Sequence, residues 1–457
     1  MQETSRKQIG LEKIFIIVAA GLWTLFLALD RLIDGPSQFT VAMACAMATA
    51  LWAWSASILF RTPGLRPALV APAFLLATSA LWFYVVIPFT GVGFTDYAFW
   101  RFNRDNPGNE GEWLILRFSL LLIATSVWIA HRAPTRSRST ATVHSRIGRV
   151  PLLLLGLVAG AIYALRAYVG FDLAVILPIE MARQVYFSCP VVASLSIAVS
   201  ALRILAKEPG ATVDFVGLAG VLFVLFFMGA FKTMFFVIGA AVATIAIAAR
   251  SPRFIFGFAV FGLLALVAIA YGRYPSALAQ FGLVRGVAST FVGKVIMRQW
   301  ETIDCFTGIV KKHEHDANLA AWVETLVAGI APRVLWPNKP NLSFTGRLVM
   351  NYCAFLPKVE KQNPIQSASA TLLGEPLMVG GWPALAAAQI MLVVILGGFS
   401  LAWISGGPIW AAAVLGLTPW LIDFDQHFFL YVTNQAKAGL VAGAVLLAVA
   451  WGRRVIR

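Results

Sequence analysis

Long apolar runs recur along the whole of this 457-residue chain, and they limit its fold more than any other feature. Many of them approach the ~20 residues that a helix needs to cross a hydrocarbon core of ~30 Å. With 59% hydrophobic and only 12% charged residues, the composition lies far outside the range of soluble domains. The strands of a β-barrel would alternate apolar and polar residues in short segments instead. The sequence therefore predicts an all-α, polytopic transmembrane bundle.

The apolar runs predict about twelve spans. They lie at 12–30, 38–60, 67–90, 113–131, 150–169, 186–204, 214–231, 233–249, 254–271, 382–404, 408–423 and 437–452. The first is interpreted as an uncleaved signal-anchor, because further spans come after it. The chain then divides into a bundle of nine spans at 1–271, a long outer loop at 272–381, and three final spans at 382–457. The two runs beside Lys232 have a second interpretation as a re-entrant hairpin, which would alter the count.

The orientation follows from the basic residues of the short loops. With the N-terminus in the cytoplasm, the inner segments hold seventeen basic residues and the short outer segments hold eight. This is the expected positive-inside bias, so both termini are predicted to be cytoplasmic. The inner charges are scattered as ordinary topology determinants, which argues against nucleic acid as a partner. The net charge of +15 instead favours anionic headgroups or a phosphorylated lipid at a basic outer surface.

The long loop carries two apolar stripes at helical spacing, and both predict amphipathic helices that lie on the membrane surface or cap the bundle. The residues of the two stripes are Phe281, Val284, Val287, Phe291, Val292 and Val295, and Leu319, Trp322, Val323, Leu326, Val327 and Ile330. The loop also holds Cys305 and Cys353, whose pairing in an oxidising compartment is left open by the sequence. Cys45 and Cys189 lie in spans and are interpreted as small buried hydrophobes.

Two basic residues are the leading functional candidates, because each lies at a predicted outer bilayer edge without an evident partner. Lys232 is at the tip of a tight hairpin between two apolar runs, and Arg333 lies in the proline-rich segment 332–340. Prolines stiffen that segment, and a rigidly held guanidinium can grip a phosphate with two parallel hydrogen bonds. Lys339 would support Arg333, and Trp336 suits the membrane interface. The plainer alternatives are a snorkelling lysine and a surface arginine.

Three residues are candidates for acid–base work or for orienting a sugar hydroxyl. Glu375 lies where the long loop returns to the membrane, between a glycine and a proline, and pairing with an outer arginine is its alternative role. Asp425 and His427 cluster with Asp423 at the outer end of the eleventh predicted span, where they could equally be ordinary polar loop residues. The weaker candidates for substrate binding, each also interpretable as a helix-end charge, are Arg117, Arg166, Arg285 and Arg298.

Several common chemistries have no signature in this sequence. It holds no Walker-type glycine loop, no serine nucleophile elbow and no Cys or His pair at metal-ligand spacing, so neither a metal nor a cofactor is expected. The run from His313 to Asp316 places its acidic and imidazole groups one or two residues apart, which points them to different faces of a helix. It is better interpreted as a solvated loop, or as a source of one proton-transfer group, than as a metal site.

Three segments resemble the O-antigen polymerase (Wzy-type) and O-antigen ligase superfamily of bacterial envelope proteins. The hairpin 228–233 resembles the family's Gly-Ser-Arg turn, with Phe231 at the serine and Lys232 at the arginine position. Segment 332–340 is similar to the Pro-Arg-x-x-Trp-Pro-x-Lys-Pro element of many repeat-unit polymerases. Residues 367–375, followed by Gly380 and Gly381, resemble the stretch where the family's loop re-enters the bilayer.

The resemblance implies metal-independent glycosyl transfer on the periplasmic face of the bacterial inner membrane. Its substrate would be an undecaprenyl-pyrophosphate-linked glycan held in the lipid bilayer. An acceptor hydroxyl would attack the donor's anomeric carbon, and Lys232 and Arg333 would stabilise the charge that grows on the leaving pyrophosphate. Glu375, Asp425 and His427 are the unranked candidates for the base that takes the acceptor's proton.

Two alternatives to the polymerase stay open. The Pro-Arg segment favours the polymerase, while His313 and His315 keep a ligase, which transfers the glycan to lipid A-core, under consideration. A polysaccharide transporter or lipid-linked sugar flippase belongs to a different class and would place charges near the bilayer midplane, where this chain has almost none. The sequence leaves open the sugars, the linkage and whether a chain-length regulator acts alongside.

Overall fold

A computed structural model of the protein describes residues 38–62, 66–90, 109–132, 149–227, 229–249, 297–312, 318–330, 336 and 370–455, with isolated positions between 256 and 267. Within these ranges the regular elements are all helical. Among the described residues, seven helices are long and apolar enough to cross a membrane, by length and composition. The expected all-α, membrane-spanning class is confirmed at this level, and the number of spans stays a prediction.

The longer helices are, in chain order, α1 (Gln38–Arg61), α2 (Pro72–Leu81), α3 (Glu110–Arg132), α4 (Arg149–Ala164), α5 (Ile179–Leu205), α6 (Ala211–Phe226), α7 (Phe231–Ala249), α8 (Met297–Lys312), α9 (Leu319–Ile330), α10 (Thr371–Ser405), α11 (Pro408–Leu421) and α12 (Phe428–Val455). Two of them continue as π-helical turns, α2 through Trp82–Val86 and α4 through Leu165–Val169. Two others, α5 and α12, begin well before the apolar runs predicted at 186–204 and 437–452. Polar residues within the first three turns of each helix lower the hydropathy there without ending the helix.

Helix α5 lies at the centre of the bundle and packs against α4, α6, α7, α11 and α12. Small residues allow the close approaches, as is typical of helices that associate in a membrane. A methyl group added at Gly156 of α4 would lie 2.6 Å from the Ser196 hydroxyl, and one added at Gly416 of α11 would lie 2.8 Å from a Leu195 methyl. The Ser196 hydroxyl also donates to the Leu152 carbonyl at 2.7 Å. The core thus depends on backbones that nearly touch.

Helix α10 consists of two helices that meet at a kink at Gly381. This glycine has φ 71° and ψ −166°, a combination that is essentially restricted to glycine. The residues before it form a buried half-helix (371–380), in which every side chain is buried. At ~1.5 Å per residue, the stretch from 382 to 405 alone extends about 36 Å and is long enough to cross a membrane. It coincides with the span predicted at 382–404, so the buried half-helix is additional to the span.

Helices α8 and α9 come from the predicted outer loop and cover the buried half-helix. A methyl group added at Gly374 would lie 3.1 Å from the Phe306 ring of α8, and one added at Gly380 would lie 2.8 Å from Trp322 Cβ of α9. The Asn318 backbone N–H donates to the Val379 carbonyl at 2.7 Å, next to the kink. These two helices therefore pack on the bundle, one of the two arrangements expected for the loop, and they are called the cap helices below.

The apolar stripe predicted for α9 is only partly buried. Trp322 is buried as expected, but Val323 and Val327 are about half exposed, at 46% and 51%. Thr325 and Ala328 face the bundle in their place. Small side chains are needed on that face because α9 approaches other backbones closely. Helix α8 was not predicted, although it buries Ile303, Phe306 and Ile309 within a sequence that is otherwise polar. The stripe predicted at 281–295 lies outside the described residues.

A buried ion network closes the turn between α5 and α6. Arg203 donates to Glu208 at 2.5 Å and to Asp214 at 2.8 Å, and its side chain is only 6% exposed. Removing the arginine would leave two largely buried carboxylates without their cation. We expect Arg203→Ala to lower the free energy of unfolding by about 3–5 kcal/mol, measured by denaturant titration in detergent.

The matched control is Arg183→Ala, which removes an arginine from a pair with Glu180 whose side chains are 64% and 63% exposed. Exposed pairs contribute about 0–1 kcal/mol. Equal losses in the two variants would show that the buried network does not stabilise the turn.

The kink at Gly381 provides a second test. Alanine is strained at a positive φ with this ψ, so Gly381→Ala should lower the free energy of unfolding by about 1–3 kcal/mol. Gly398 lies in the same helix with nothing within 4 Å of an added methyl group. Gly398→Ala should therefore have the opposite sign, because alanine is the better helix former by about 1 kcal/mol. Differential scanning fluorimetry of both variants would check this, and a neutral Gly381→Ala would contradict the assigned backbone geometry.

Candidate functional site at one end of the bundle

The segment between α11 and α12, called the link segment (422–427) below, brings several helix ends together. The Leu372 backbone N–H at the start of α10 donates to the Phe424 carbonyl at 3.2 Å. The Phe424 ring packs against Tyr84 and Phe118, at centroid distances of 4.9 and 6.4 Å. Because the link segment leads directly into α12, the polar residues on it lie beside the starts of α10 and α12.

Lys232 reaches the link segment from the start of α7. Its ammonium group lies 2.7 Å from Asp423 Oδ1, and its side chain is 48% exposed. The other carboxylate oxygen of Asp423 accepts a hydrogen bond from the Gln426 side-chain amide at 2.6 Å. The side-chain oxygen Oε1 of Gln426 accepts one from the Asn434 side-chain amide of α12 at 3.2 Å. Lys232 was singled out as a cation without an evident partner, and it has one in Asp423. These four residues are called the Lys232 network.

Glu375 lies in the buried half-helix and is completely buried. Its Oε2 accepts a hydrogen bond from the Phe429 backbone N–H at 2.8 Å, within the first turn of α12. The partial positive charge at the N-terminus of a helix offsets part of the cost of burying this carboxyl group. Its Oε1 has no hydrogen-bond partner among the described residues. Among the described residues, the partner of Glu375 is thus the backbone of α12. The expected partners were a sugar hydroxyl or an outer arginine.

Asp425 and His427 lie on the same link segment, close to that helix start. The His427 side chain is 3% exposed, and its ring stacks on Phe429 at a centroid distance of 6.0 Å. The His427 carbonyl accepts the first backbone hydrogen bond of α12, from Tyr431 at 2.9 Å. Asp425 is partly exposed and is the least buried of the three acid–base candidates. The link segment and its two neighbouring helix starts therefore gather Lys232, Glu375, Asp425 and His427 at one end of the bundle.

The remaining candidates lie elsewhere or outside the described residues. Arg117 is partly exposed on α3. Arg166 lies over the Tyr186 ring at 4.3 Å and 3.8 Å from Asp172, so protein partners already engage its guanidinium. Trp336 is partly exposed. Arg298 belongs to α8, but its side chain is not described, and the positions that lie wholly outside the described residues are Arg285, His313, His315, Arg333 and Lys339.

Asp423, Gln426 and Asn434 belong to the site but were not among the predicted site residues. Asp423 was grouped with Asp425 and His427 as a source of acid–base chemistry, but no ion pair was predicted for it. The usable signal was an acidic side chain placed at the same predicted membrane edge as the isolated Lys232. Opposite charges at one bilayer edge are expected to pair, because an unpaired charge there is costly.

Cys305 of α8 is disulfide-bonded, whereas Cys45 and Cys189 are free and buried. Cys353, the remaining cysteine of the chain, lies outside the described residues. Disulfides persist in oxidising compartments. Cys305 lies on the cap helix that covers Glu375's half-helix, so the disulfide bears on which side of the membrane this end faces.

The cluster offers a half-exposed cation beside carboxylates and an imidazole. Over the described part of the chain, no group of three His, Cys, Asp or Glu residues is arranged to hold a metal ion. Comparisons with family models, with curated proteins and with solved structures find no match to this chain. What the site can do chemically is therefore argued from its residues: an ammonium group is able to bind an anion, and a carboxylate or an imidazole is able to transfer a proton.

Glu375 yields a prediction about stability. Glu375→Ala would leave the Phe429 N–H buried without an acceptor, which costs about 1–3 kcal/mol. Glu375→Gln retains an amide oxygen for that N–H and should lose clearly less. The control is Glu324→Ala on the exposed face of α9, which should be neutral. Thermal unfolding in detergent would rank the three, and a neutral Glu375→Ala would refute the capping role.

Proposed function

We propose that this chain is a metal-independent glycosyltransferase that polymerises undecaprenyl-pyrophosphate-linked oligosaccharide repeat units into a surface polysaccharide. The observation that carries the proposal is the gathering of Lys232, Glu375, Asp425 and His427 at one end of a bundle of apolar helices. A lipid-linked pyrophosphate presents its charge at a membrane edge, and a half-exposed ammonium group at such an edge is a suitable partner for it. O-antigen and exopolysaccharide repeat units are substrates of this class.

Lys232 has the role of stabilising the leaving pyrophosphate. Negative charge grows on that group as the bond to the anomeric carbon breaks, and a fixed cation lowers the barrier most when it is already in place. Arg333 is assigned the same role from its sequence segment and would add a guanidinium on a stiff loop. Removing one such group typically lowers the rate by ~10²–10³-fold.

The burial of the three acid–base candidates suggests how they divide the work. A base must come within hydrogen-bond reach of the acceptor hydroxyl. Asp425 is the least buried of the three, so it is assigned the hydrogen bond to the acceptor hydroxyl. Glu375 and His427 are nearly inaccessible and hold the start of α12. Their assigned role is to fix the link segment, and through it Asp425.

Two features support a periplasmic position for this end. Cys305 is disulfide-bonded, and its helix also brings Lys311 to within 3.5 Å of Glu110 at the start of α3. The opposite end of α3 finishes in Arg132. An oxidised cysteine at one end and a basic residue at the other agree with the positive-inside rule. The proposed location is the bacterial inner membrane, with the active face outside.

The kink in α10 favours one alternative of a different class. Transporters often bind substrates at helices that are interrupted within the membrane, where the freed backbone groups line a cavity. A polysaccharide transporter or lipid-linked sugar flippase could use the break at Gly381 in this way. The buried half-helix is, however, covered by the cap helices, and the stretch after the kink is long enough to span without it.

The test uses purified protein in nanodiscs with an undecaprenyl-pyrophosphate-linked repeat unit from its own strain and a metal chelator. We expect a ladder of oligomers by gel and mass spectrometry. Lys232→Ala and Arg333→Ala should each lower the rate by ~10²–10³-fold. Arg183→Ala, which also removes one positive charge from an exposed position, should retain the wild-type rate.

Two further assays separate the alternatives. Transfer of a single glycan to added lipid A-core, without a ladder, would identify a ligase. Movement of a fluorescent lipid-linked sugar across the bilayer without transfer would identify a flippase. A folded wild-type protein that forms no glycosidic bond in either transfer assay would refute the proposed enzyme.

A further inference from the structure

Asp423 has both carboxylate oxygens engaged, and by different parts of the chain. Oδ1 accepts from the Lys232 ammonium at 2.7 Å, and Oδ2 accepts from Gln426 at 2.6 Å. Gln426 is itself held by Asn434, 3.2 Å away on α12. The carboxylate is therefore fixed from the α12 side independently of Lys232, and the lysine is brought to a carboxylate that is already in place.

A lysine needs such an anchor if it is to act as a fixed charge. Its ammonium group sits on a flexible four-carbon stem, and holding that stem in one geometry costs conformational entropy. The Lys232 side chain is nearly half exposed, so packing alone does not restrain it. An ammonium group has three N–H donors, and the bond to Asp423 takes one of them. The other two remain able to contact an anion.

Stability accounts for only part of this pair. Water solvates the Lys232 side chain, which is 48% exposed, although Asp423 is 16% exposed, so the pair contributes less to folding than the enclosed Arg203 network. The partners are also 191 positions apart in the chain, on α7 and on the link segment that carries Asp425 and His427. The pair thus sets the distance between the proposed anion-binding group and the proposed acid–base groups.

We infer that Asp423 is a positioning residue that holds the Lys232 ammonium against the link segment, with its free N–H donors directed to the pyrophosphate of a lipid-linked donor. This inference rests on the proposed function. A displaced ammonium would still attract the anion but would stabilise the departing charge poorly. Loss of Asp423 should therefore lower kcat more than it raises KM.

The experiment compares Asp423→Ala, Asp423→Glu and the reversed pair Lys232→Asp with Asp423→Lys. Polymerisation kinetics, binding of undecaprenyl pyrophosphate and the thermal midpoint are measured for each in nanodiscs. Asp423→Ala should lower kcat by about tenfold to a hundredfold, as expected for a misplaced group. Asp423→Glu, which keeps the charge, should recover part of it. Glu180→Ala removes the carboxylate of an exposed pair and should match the wild type.

The reversed pair separates positioning from a purely structural tie. The reversed pair restores the ion pair, so it should recover the thermal midpoint that Asp423→Ala loses. It also places a carboxylate where the anion must bind, so it should neither polymerise nor bind undecaprenyl pyrophosphate. Recovery of polymerisation in the reversed pair would overturn the inference, and so would wild-type kinetics in Asp423→Ala.

Failure of the proposed function has a different signature. If the wild type polymerises and Asp423→Ala matches it, only the inference about Asp423 falls. If the wild type binds undecaprenyl pyrophosphate but forms no polymer, the polymerase is refuted, and the positioning role of Asp423 in that reaction falls with it. If the wild type neither binds nor polymerises, both proposals fall.

Discussion

Backbone polar groups that leave a helix inside a membrane must find partners within the protein, because lipid offers none. The kink at Gly381 frees such groups, and their surroundings account for much of the architecture at this end. The Val379 carbonyl accepts from Asn318, and cap helix α9 begins there. The start of α12 is met by the Glu375 carboxylate, which the half-helix carries. The interruption thus accounts for the contact between α9 and the half-helix, and the half-helix brings its buried carboxyl group to the start of α12.

Charge is distributed in two contrasting ways. At the turn after α5, Arg203 is enclosed with two carboxylates and has little contact with solvent. At the link segment, Lys232 shares one carboxylate and stays nearly half exposed. A closed network is satisfied by the protein itself, whereas a half-exposed cation retains donors for something outside it. This difference distinguishes a group that maintains the fold from one that can bind a ligand.

Hydropathy was sufficient to predict the class of the fold and the positions of most described helices, because each span must satisfy the same length requirement. It located the span after Gly381 almost to the residue. It missed α8, whose sequence is polar, and it assigned too much of the α9 stripe to the buried face, since packing there selects for small size. The pairing of Lys232 with Asp423 depends on how distant helices meet, and no local pattern encodes that. Glu375 was recognised by its position, but its bond to α12 was not.

The cap helices precede in the chain much of the surface on which they rest. During synthesis, Phe306 of α8 can already meet Gly111 of α3, but Gly374 and Gly380 belong to α10, so Trp322 has no glycine-lined surface to meet until the last three helices are inserted. The covering of Glu375 is therefore a late event in biogenesis. Its completion coincides with assembly of the site, and truncation after α9 would leave uncovered the surfaces of α8 and α9 that face α10.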